Sequence, residues 1–122
     1  MLNKFLVAGR LTANPKMQTI GENRLCKFTI ACDRPKRKGQ DEHETDFFNC
    51  VAWEHNGDTI INYFKKGDMI TLVGEVHINR YEKDGLKRTA TEVKVEEIHF
   101  SGNRKSQPVR TDMTYSADNL PF

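Results

Sequence analysis

Residues 45–53 read TDFFNCVAW, and this stretch decides how the rest of the chain is interpreted. As a β-strand it divides its side chains between two faces, with Phe47, Asn49, Val51 and Trp53 on one and Phe48, Cys50 and Ala52 on the other. Both faces carry large apolar groups, and a small domain cannot bury both in one core. One set of rings is therefore either covered by another subunit or left exposed for a partner. The alternation alone does not decide which face is the interior.

Other stretches alternate in the same way and predict an all-β chain. The predicted strands are Asn3–Leu11, Leu25–Asp33, Thr45–Trp53, Met69–Tyr81 and Leu86–Phe100, with a further short strand at Lys16–Ile20. Along the fourth long strand, Ile70, Leu72, Val76 and Ile78 are expected to point inward and Tyr81 outward. In the last strand the alternation changes phase at Glu96-Glu97, which predicts a β-bulge.

One helix is predicted between the third and fourth long strands, from about Asp58 to Lys66. Ile60, Ile61 and Phe64 have helical spacing, Asn56 or Asp58 is expected to cap its start, and Gly67 follows its last turn. Gly9 and Gly74 lie inside strands, where glycine indicates a sharp bend or a close backbone approach.

This order of elements predicts a five-stranded OB-fold Greek-key barrel whose helix closes one end. The fold binds oligonucleotides across a sheet face and its loops. The long loops here are Arg34–Glu44, which is rich in charge, and Glu82–Gly85. Exposed aromatic rings on a sheet, beside Lys and Arg, are typical of surfaces that grip unstacked bases.

We expect one domain over residues 1–102 and a disordered tail over residues 103–122, where no apolar period remains. The tail ends in an apolar tip that is expected to dock a partner protein, with Asp118 just before it. The docking residues would be Asp118, Leu120, Pro121 and Phe122. The alternative is a chain end without a function.

Composition narrows the class of protein. The 122 residues carry a net charge of only +2, from 19 basic and 17 acidic residues, which is a weak signature for a nucleic-acid binder. No apolar run is long enough to span a membrane, and the first residues do not read as a signal peptide, so a cytoplasmic location is expected. Cys26, Cys32 and Cys50 have no zinc-like spacing and are interpreted as buried apolar groups.

No catalytic, cofactor or metal site is predicted. Asp41-Glu42-His43-Glu44 with Asp46 superficially resembles a metal or acid–base cluster, but consecutive hairpin residues point apart, so a solvated loop is the better interpretation. The other histidines lack ligand spacing, and no Ser or Cys has an evident catalytic partner. Nothing in the sequence indicates an enzyme.

Taken together, these segments resemble the bacterial single-stranded DNA-binding protein family, from Met1 to about Phe100 and again at the last few residues. The residues that carry the resemblance are Leu2–Lys4, Gly9–Thr12, Pro15, Phe28–Ala31, Thr45–Trp53, Tyr63–Gly67, Gly74–Val76, Arg80–Gly85 and Thr91–Val93. The resemblance implies an OB-fold homotetramer that wraps single-stranded DNA without strong sequence preference. It also implies that the C-terminal tip recruits DNA replication, recombination and repair proteins.

The resemblance assigns base stacking to Phe47, Trp53 and Tyr81. A fourth ring of the family is absent, and Arg34-Pro35-Lys36-Arg37 lies near its place, so binding should depend more on phosphates. The residues expected to neutralise phosphates are Arg10, Arg34, Lys36, Arg37, Lys66 and Arg80. The tail is shorter and less acidic at its tip than is usual in the family.

Two other functions remain open from the sequence. One is a primosome-like OB subunit that binds a helicase or primase and touches DNA weakly, as the Leu120-Pro121-Phe122 tip would allow. The other is an RNA-binding OB protein of the cold-shock kind, which would normally be shorter and lack a docking tail.

Overall fold

A computed structural model describes residues 1–39 and 41–100 of the chain. Its strands are β1 (Phe5–Leu11), β2 (Lys16–Ile20), β3 (Asn23–Asp33), β4 (Thr45–Trp53), β5 (Met69–Lys83) and β6 (Leu86–Phe100), and its helix is α1 (Glu54–Tyr63). No helix in these residues is long and apolar enough to cross a membrane.

Five of the strands close into a barrel. Along the sheet the order is β1-β5-β6-β4-β3-β2, and β1 also pairs with β3 through Arg10–Ala31 and Leu11–Ile30. The closed ring is therefore β1, β5, β6, β4 and β3, with β4 and β6 parallel and β2 added at the edge of β3. The predicted five-stranded OB barrel and its additional short strand are both confirmed.

The barrel interior holds one apolar core beneath α1. It consists of Leu11, Cys26, Phe28, Ile30, Cys50, Ala52, Ile60, Phe64, Ile70, Leu72, Val93 and Val95. On β4, Cys50 and Ala52 are buried and Phe48 packs against this core, where its ring meets that of Phe5 edge-on at 5.1 Å. The interior face of β4 is thus the one with Phe48, and the face with Phe47 points outward.

Two glycines are fixed by close backbone approaches, as their positions inside strands predicted. A Cβ on Gly9 would lie 2.6 Å from the carbonyl oxygen of Ala31, and a Cβ on Gly74 would lie 2.4 Å from that of Lys94. The predicted bulge is also present, because Val73 pairs with Glu97 while Gly74 pairs with Val95, which leaves Glu96 without a partner in the ladder.

The predicted helix bounds were wrong. Strand β4 runs directly into α1 at Glu54, whose φ is 49°, and the helix ends at Tyr63. Neither Asn56 nor Asp58 is the cap, because both lie within the helix, where Asp58 binds the guanidinium of Arg24 at 2.6 Å. The first helical turn is polar and carries no apolar period, so the sequence pattern placed the start too late.

Gly67 does not end the helix directly. Phe64 is already extended at φ −128°, and Gly67 lies in the following turn at φ 89°, where its N–H donates to the carbonyl of Leu11 at 2.8 Å. This hydrogen bond connects the turn after α1 to the end of β1.

Two burial predictions also need correction. Ile78 was expected to point inward but is 58% exposed, because residues 78–91 form a hairpin arm that extends beyond the barrel. Cys26 and Cys50 are buried as predicted, whereas Cys32 is only half-buried near the end of β3.

Candidate nucleic-acid interface

The outward sides of four strands form one continuous surface, which we call the outer face. Register defines it, because Val51 pairs with Lys27 on one side and with Lys94 on the other, and Lys94 pairs in turn with Glu75. Every second residue from these positions shares the face. Its members are Lys27, Thr29 and Ala31 on β3, Phe47, Asn49, Val51 and Trp53 on β4, Glu75, His77, Asn79 and Tyr81 on β5, and Arg88, Ala90, Glu92 and Lys94 on β6.

Phe47 is the most open ring of the outer face. Its side chain is 65% exposed, and its cross-strand neighbour on β3 is Ala31, which is too small to cover it. A flat ring held on a strand with an accessible side is a stacking platform that loses little entropy when a base lies on it.

Trp53 lies at the other end of β4 and is half-buried. It pairs with Leu25, which is buried, so one side of the indole is supported by the sheet. The next residue, Glu54, is fixed by Arg24, whose backbone N–H donates to its Oε2 at 2.8 Å. The arrangement holds Trp53 where the strand becomes the helix.

Tyr81 stands on the hairpin arm and is 47% exposed. Asp84 and Gly85 turn the arm with φ values of 53° and 76°, as in a type I′ turn. Tyr81 pairs with Arg88 across the arm, so a ring and a guanidinium share this part of the outer face. Alternation places Arg80 on the opposite face, paired with Thr89.

A groove lies on the outer face between Phe47 and Trp53. Its volume is about 370 Å³, and its lining comprises Thr12, Ala13, Asn14, Lys16, Lys27, Phe28, Thr29, Asn49, Cys50, Val51 and Glu92. Sequence reasoning assigned no function to any of its polar side chains. Strand alternation could have found Asn49, which shares a face of β4 with Phe47 and Trp53, and Lys27, which alternates with core residues on β3. The approach of residues 12–14, however, depends on the pairing of β1 with β3.

Two of the predicted phosphate-binding residues, Arg10 and Lys66, meet near this groove. Nη1 of Arg10 donates to the carbonyl of Gly67 at 3.0 Å, and the backbone N–H of Lys66 donates to Oδ1 of Asn14 at 2.8 Å. Since Asn14 also lines the groove, the backbone of this turn, to which the Arg10 guanidinium is bound, lies at one side of it.

Arg34 is already paired with carboxylates. It donates to both oxygens of Asp46 at 2.8 and 3.0 Å and to Glu44 at 3.1 Å. The hydrogen bond from Arg34 lowers the pKa of Asp46, and the reciprocal contact raises the pKa of Arg34. A phosphate would have to compete with Asp46 for this guanidinium, so the structure gives Arg34 a role in holding the 34–44 loop as well.

The groove is not lined by the remaining predicted site residues Lys36, Arg37 and Arg80. Lys36 and Arg37 are exposed in the loop between β3 and β4, beside the Arg34 pairs. Arg80 lines a second cavity of about 480 Å³ on the arm, together with Tyr81, Lys87 and Arg88. The tail residues Asp118, Leu120, Pro121 and Phe122 lie outside the described residues.

The acidic loop that contains Asp41, Glu42, His43 and Glu44 is held by a hydrogen bond of His43. Nδ1 of His43 lies 2.7 Å from the carbonyl oxygen of Arg34, which closes the base of the loop. Across residues 1–39 and 41–100, no three His, Cys, Asp or Glu side chains gather as a metal site requires.

The chain is similar in sequence to a family of known proteins and similar in fold to a solved structure. Residues 2–101 match the model of the single-strand binding protein family. A protein called single-stranded DNA-binding protein 3, from Listeria innocua serovar 6a, is 33% identical over 128 residues, covering 98% of this chain and 80% of that protein. Single-stranded DNA-binding protein 2 of Streptococcus agalactiae serotype V is 32% identical over 131 residues, covering the whole of both chains.

A solved structure shares the fold. It is the SSB of Plasmodium falciparum in complex with single-stranded DNA, and it superposes with a TM-score of 0.69 at 23% identity, covering 77% of this chain and 86% of that chain. At this level of identity the likeness shows a common OB barrel.

Proposed function

This chain belongs to the single-strand binding protein family, and from that premise we propose that it binds single-stranded DNA without strong sequence preference. The family consists of binding proteins and not of enzymes, so the activity is binding itself. Covering the bases would block re-pairing and shield the strand from nucleases.

One observation supports the proposal above the others: Phe47, Trp53 and Tyr81 share one face of the sheet. Phe47 and Tyr81 are 65% and 47% exposed in a chain whose core is otherwise well formed. Each stacked base contributes about 1–3 kcal/mol in proteins that bind single strands this way. Because every base has a flat side, stacking tolerates all sequences.

Basic residues around the face would neutralise phosphates. We assign this role to Arg10, Arg34, Lys36, Arg37, Lys66 and Arg80, with Arg34 exchanging its carboxylate partners for a phosphate. Each neutralised phosphate should add about 0.7 to the log–log salt slope for single strands.

The decisive experiment is a titration of Trp53 emission with oligo-dT at two salt concentrations. Strong quenching that weakens at high salt is expected, because Trp53 is the chain's one tryptophan and lies beside the proposed path. An RNA oligomer of equal length is the comparison. Absence of quenching together with absence of a mobility shift would refute the proposal, and tighter RNA binding would favour a cold-shock-like function.

We further propose that the chain acts as a homotetramer. Leu6 is 73% exposed on β1. One edge of β1 pairs with β5, and the other edge pairs with β3 only from Arg10 onward, so before Arg10 this second edge has no partner strand in the described part of the chain. An exposed apolar side chain beside an open strand edge favours pairing with a second copy. Sedimentation at micromolar concentration tests this, and a monomer would contradict it.

Recruitment of DNA replication, recombination and repair proteins in the cytoplasm, on the nucleoid, completes the proposed role. It would depend on the C-terminal tip, Asp118, Leu120, Pro121 and Phe122, as an apolar docking peptide. Deleting residues 120–122 should leave DNA affinity unchanged and abolish partner capture. If the same partners are captured without the tip, the docking assignment fails.

A further inference from the structure

Resting on the proposed function, we propose that the groove between Phe47 and Trp53 holds one nucleotide in a fixed orientation. Its phosphate lies on the Lys16–Lys27 pair, and the Watson–Crick edge of its base faces Asn49 and Glu92. The groove would thereby recognise that a base is unpaired, which the stacking rings do not do by themselves.

The lysine pair is the first argument. Lys16 and Lys27 are directly opposite in the β2–β3 ladder, and both line the groove. Like charges directly opposite each other destabilise a sheet. Neither ammonium has an ion pair with a carboxylate in the described residues, so the repulsion is not relieved within this part of the chain. A phosphate between them would relieve it.

Asn49 is the second group that supports this orientation of the nucleotide. The Thr29 hydroxyl donates to Oδ1 of Asn49 at 2.9 Å, which fixes the amide on the floor of the groove. With Oδ1 engaged, the Nδ2 group keeps its donors for a ligand. Asn49 is exposed, so these donors are accessible.

Glu92 is the third group that supports this orientation of the nucleotide. Cys50 pairs with Val93 in the parallel β4–β6 ladder, so Asn49 and Glu92 each precede a paired residue and lie across from one another. Both line the groove. An ionised carboxylate accepts hydrogen bonds and donates none. A carboxylate among phosphate-binding lysines would weaken DNA binding unless it contacts a donor on the base.

These two groups fit any unpaired base. The Watson–Crick edge of each of the four bases presents a donor next to an acceptor, so one amide donor and one carboxylate acceptor can satisfy all of them. A base inside a duplex has already used that edge. The pair therefore selects single strands while leaving sequence preference weak, in the way that single-stranded loops are read by base edges.

The dimensions agree with this orientation. Lys27 on β3 and Glu92 on β6 are separated by β4 and by two residues along the strands, because Lys27 pairs with Val51 whereas Glu92 lies across from Asn49. Two strand spacings of about 4.8 Å and a rise of about 3.3 Å for each of two residues give about 12 Å. That is the scale of one nucleotide from its phosphate to its base edge. Phosphates are repelled from the Glu92 side, so the backbone must lie toward β2 and β3.

The test compares two oligomers of equal length, dT and N3-methylthymidine. The methyl group blocks the Watson–Crick edge while leaving the phosphates and the base faces in place. We expect the full-length wild-type protein to bind dT roughly tenfold tighter, since a hydrogen bond to a charged group is lost. In Glu92→Gln this preference should shrink, and in the double variant Asn49→Ala with Glu92→Ala it should disappear. Glu22→Gln, in the exposed turn before β3, is the matched control and should keep the preference.

The outcomes separate the two proposals. If the wild-type protein binds neither oligomer, the proposed function fails and the groove assignment falls with it. If it binds both equally, or if Glu92→Gln and the double variant keep the full preference, DNA binding stands and the groove assignment is wrong.

The assignment of a phosphate to Lys16 and Lys27 is tested by a separate measurement. Lys16→Gln with Lys27→Gln should lower the log–log salt slope by about 0.7, the value for one phosphate on a single strand. The same double variant should also raise the melting temperature without DNA, because the like-charge contact is removed. An unchanged slope would overturn the phosphate assignment.

Discussion

Replacing Phe47 with alanine should weaken DNA binding without unfolding the protein. The ring is 65% exposed and its neighbour is Ala31, so its removal opens no core cavity. The free energy of unfolding should change by no more than about 0.5 kcal/mol, as for other exposed substitutions. The loss of one stacked base should cost about 1–3 kcal/mol, which is roughly 5- to 150-fold in affinity.

Emission of Trp53 is the assay, because that indole stays in place in the variant and reports on bound DNA. Circular dichroism and a urea midpoint establish that the fold is retained. Tyr63→Ala is the matched control, since Tyr63 is 51% exposed but lies at the end of α1 and packs against Phe100. If Phe47→Ala keeps wild-type affinity for oligo-dT, or if Tyr63→Ala loses as much as Phe47→Ala does, the stacking assignment is wrong.

Three other outcomes follow from local geometry. The hydrogen bond from Arg34 lowers the pKa of Asp46, so the ion pair stabilises the fold above the ordinary pKa of about 3.9 and this stabilisation is lost as pH falls through the lowered pKa. The urea midpoints of Asp46→Asn and wild type should therefore differ at neutral pH and converge in strong acid. Burial raises the pKa of Cys50 to about 12, so in the native protein Ellman's reagent should modify the half-buried Cys32 well before Cys50, and equal rates would contradict this. Gly74→Ala would bring a Cβ to 2.4 Å from a carbonyl oxygen on β6 and should lower the free energy of unfolding in urea by more than about 1 kcal/mol, and an unchanged free energy would mean that the barrel relaxes there.

Much of the barrel could be predicted because strand alternation is a local property. The bounds Thr45–Trp53 and Leu86–Phe100 were identified from polarity alone, and the phase change at Glu96-Glu97 marked the bulge. Gly9 and Gly74 were informative for the same reason, since each interrupts a strand pattern where only a missing side chain lets the facing backbone approach.

The errors arose where tertiary contacts override local pattern. The first turn of α1 is polar, and it is helical because Arg24 binds Glu54 and Asp58 from β3. Ile78 keeps the alternation of a buried strand, yet the arm carries it beyond the barrel into solvent. No local signal in the sequence could show the contacts of Arg24 or the exposure of Ile78.

The sequence by itself determined that this is a β-barrel with Phe47 and Trp53 on the same side of its third long strand, because side-chain parity along a strand is fixed by backbone geometry. Only the tertiary structure decided that the side with Phe47 is the outer one, because burial depends on which face the closed barrel and its helix enclose. Strand pairing in the barrel also brought Glu92 beside Asn49, since β4 and β6 are distant in sequence, whereas Lys16 and Lys27 already face one another in the local β2–β3 hairpin.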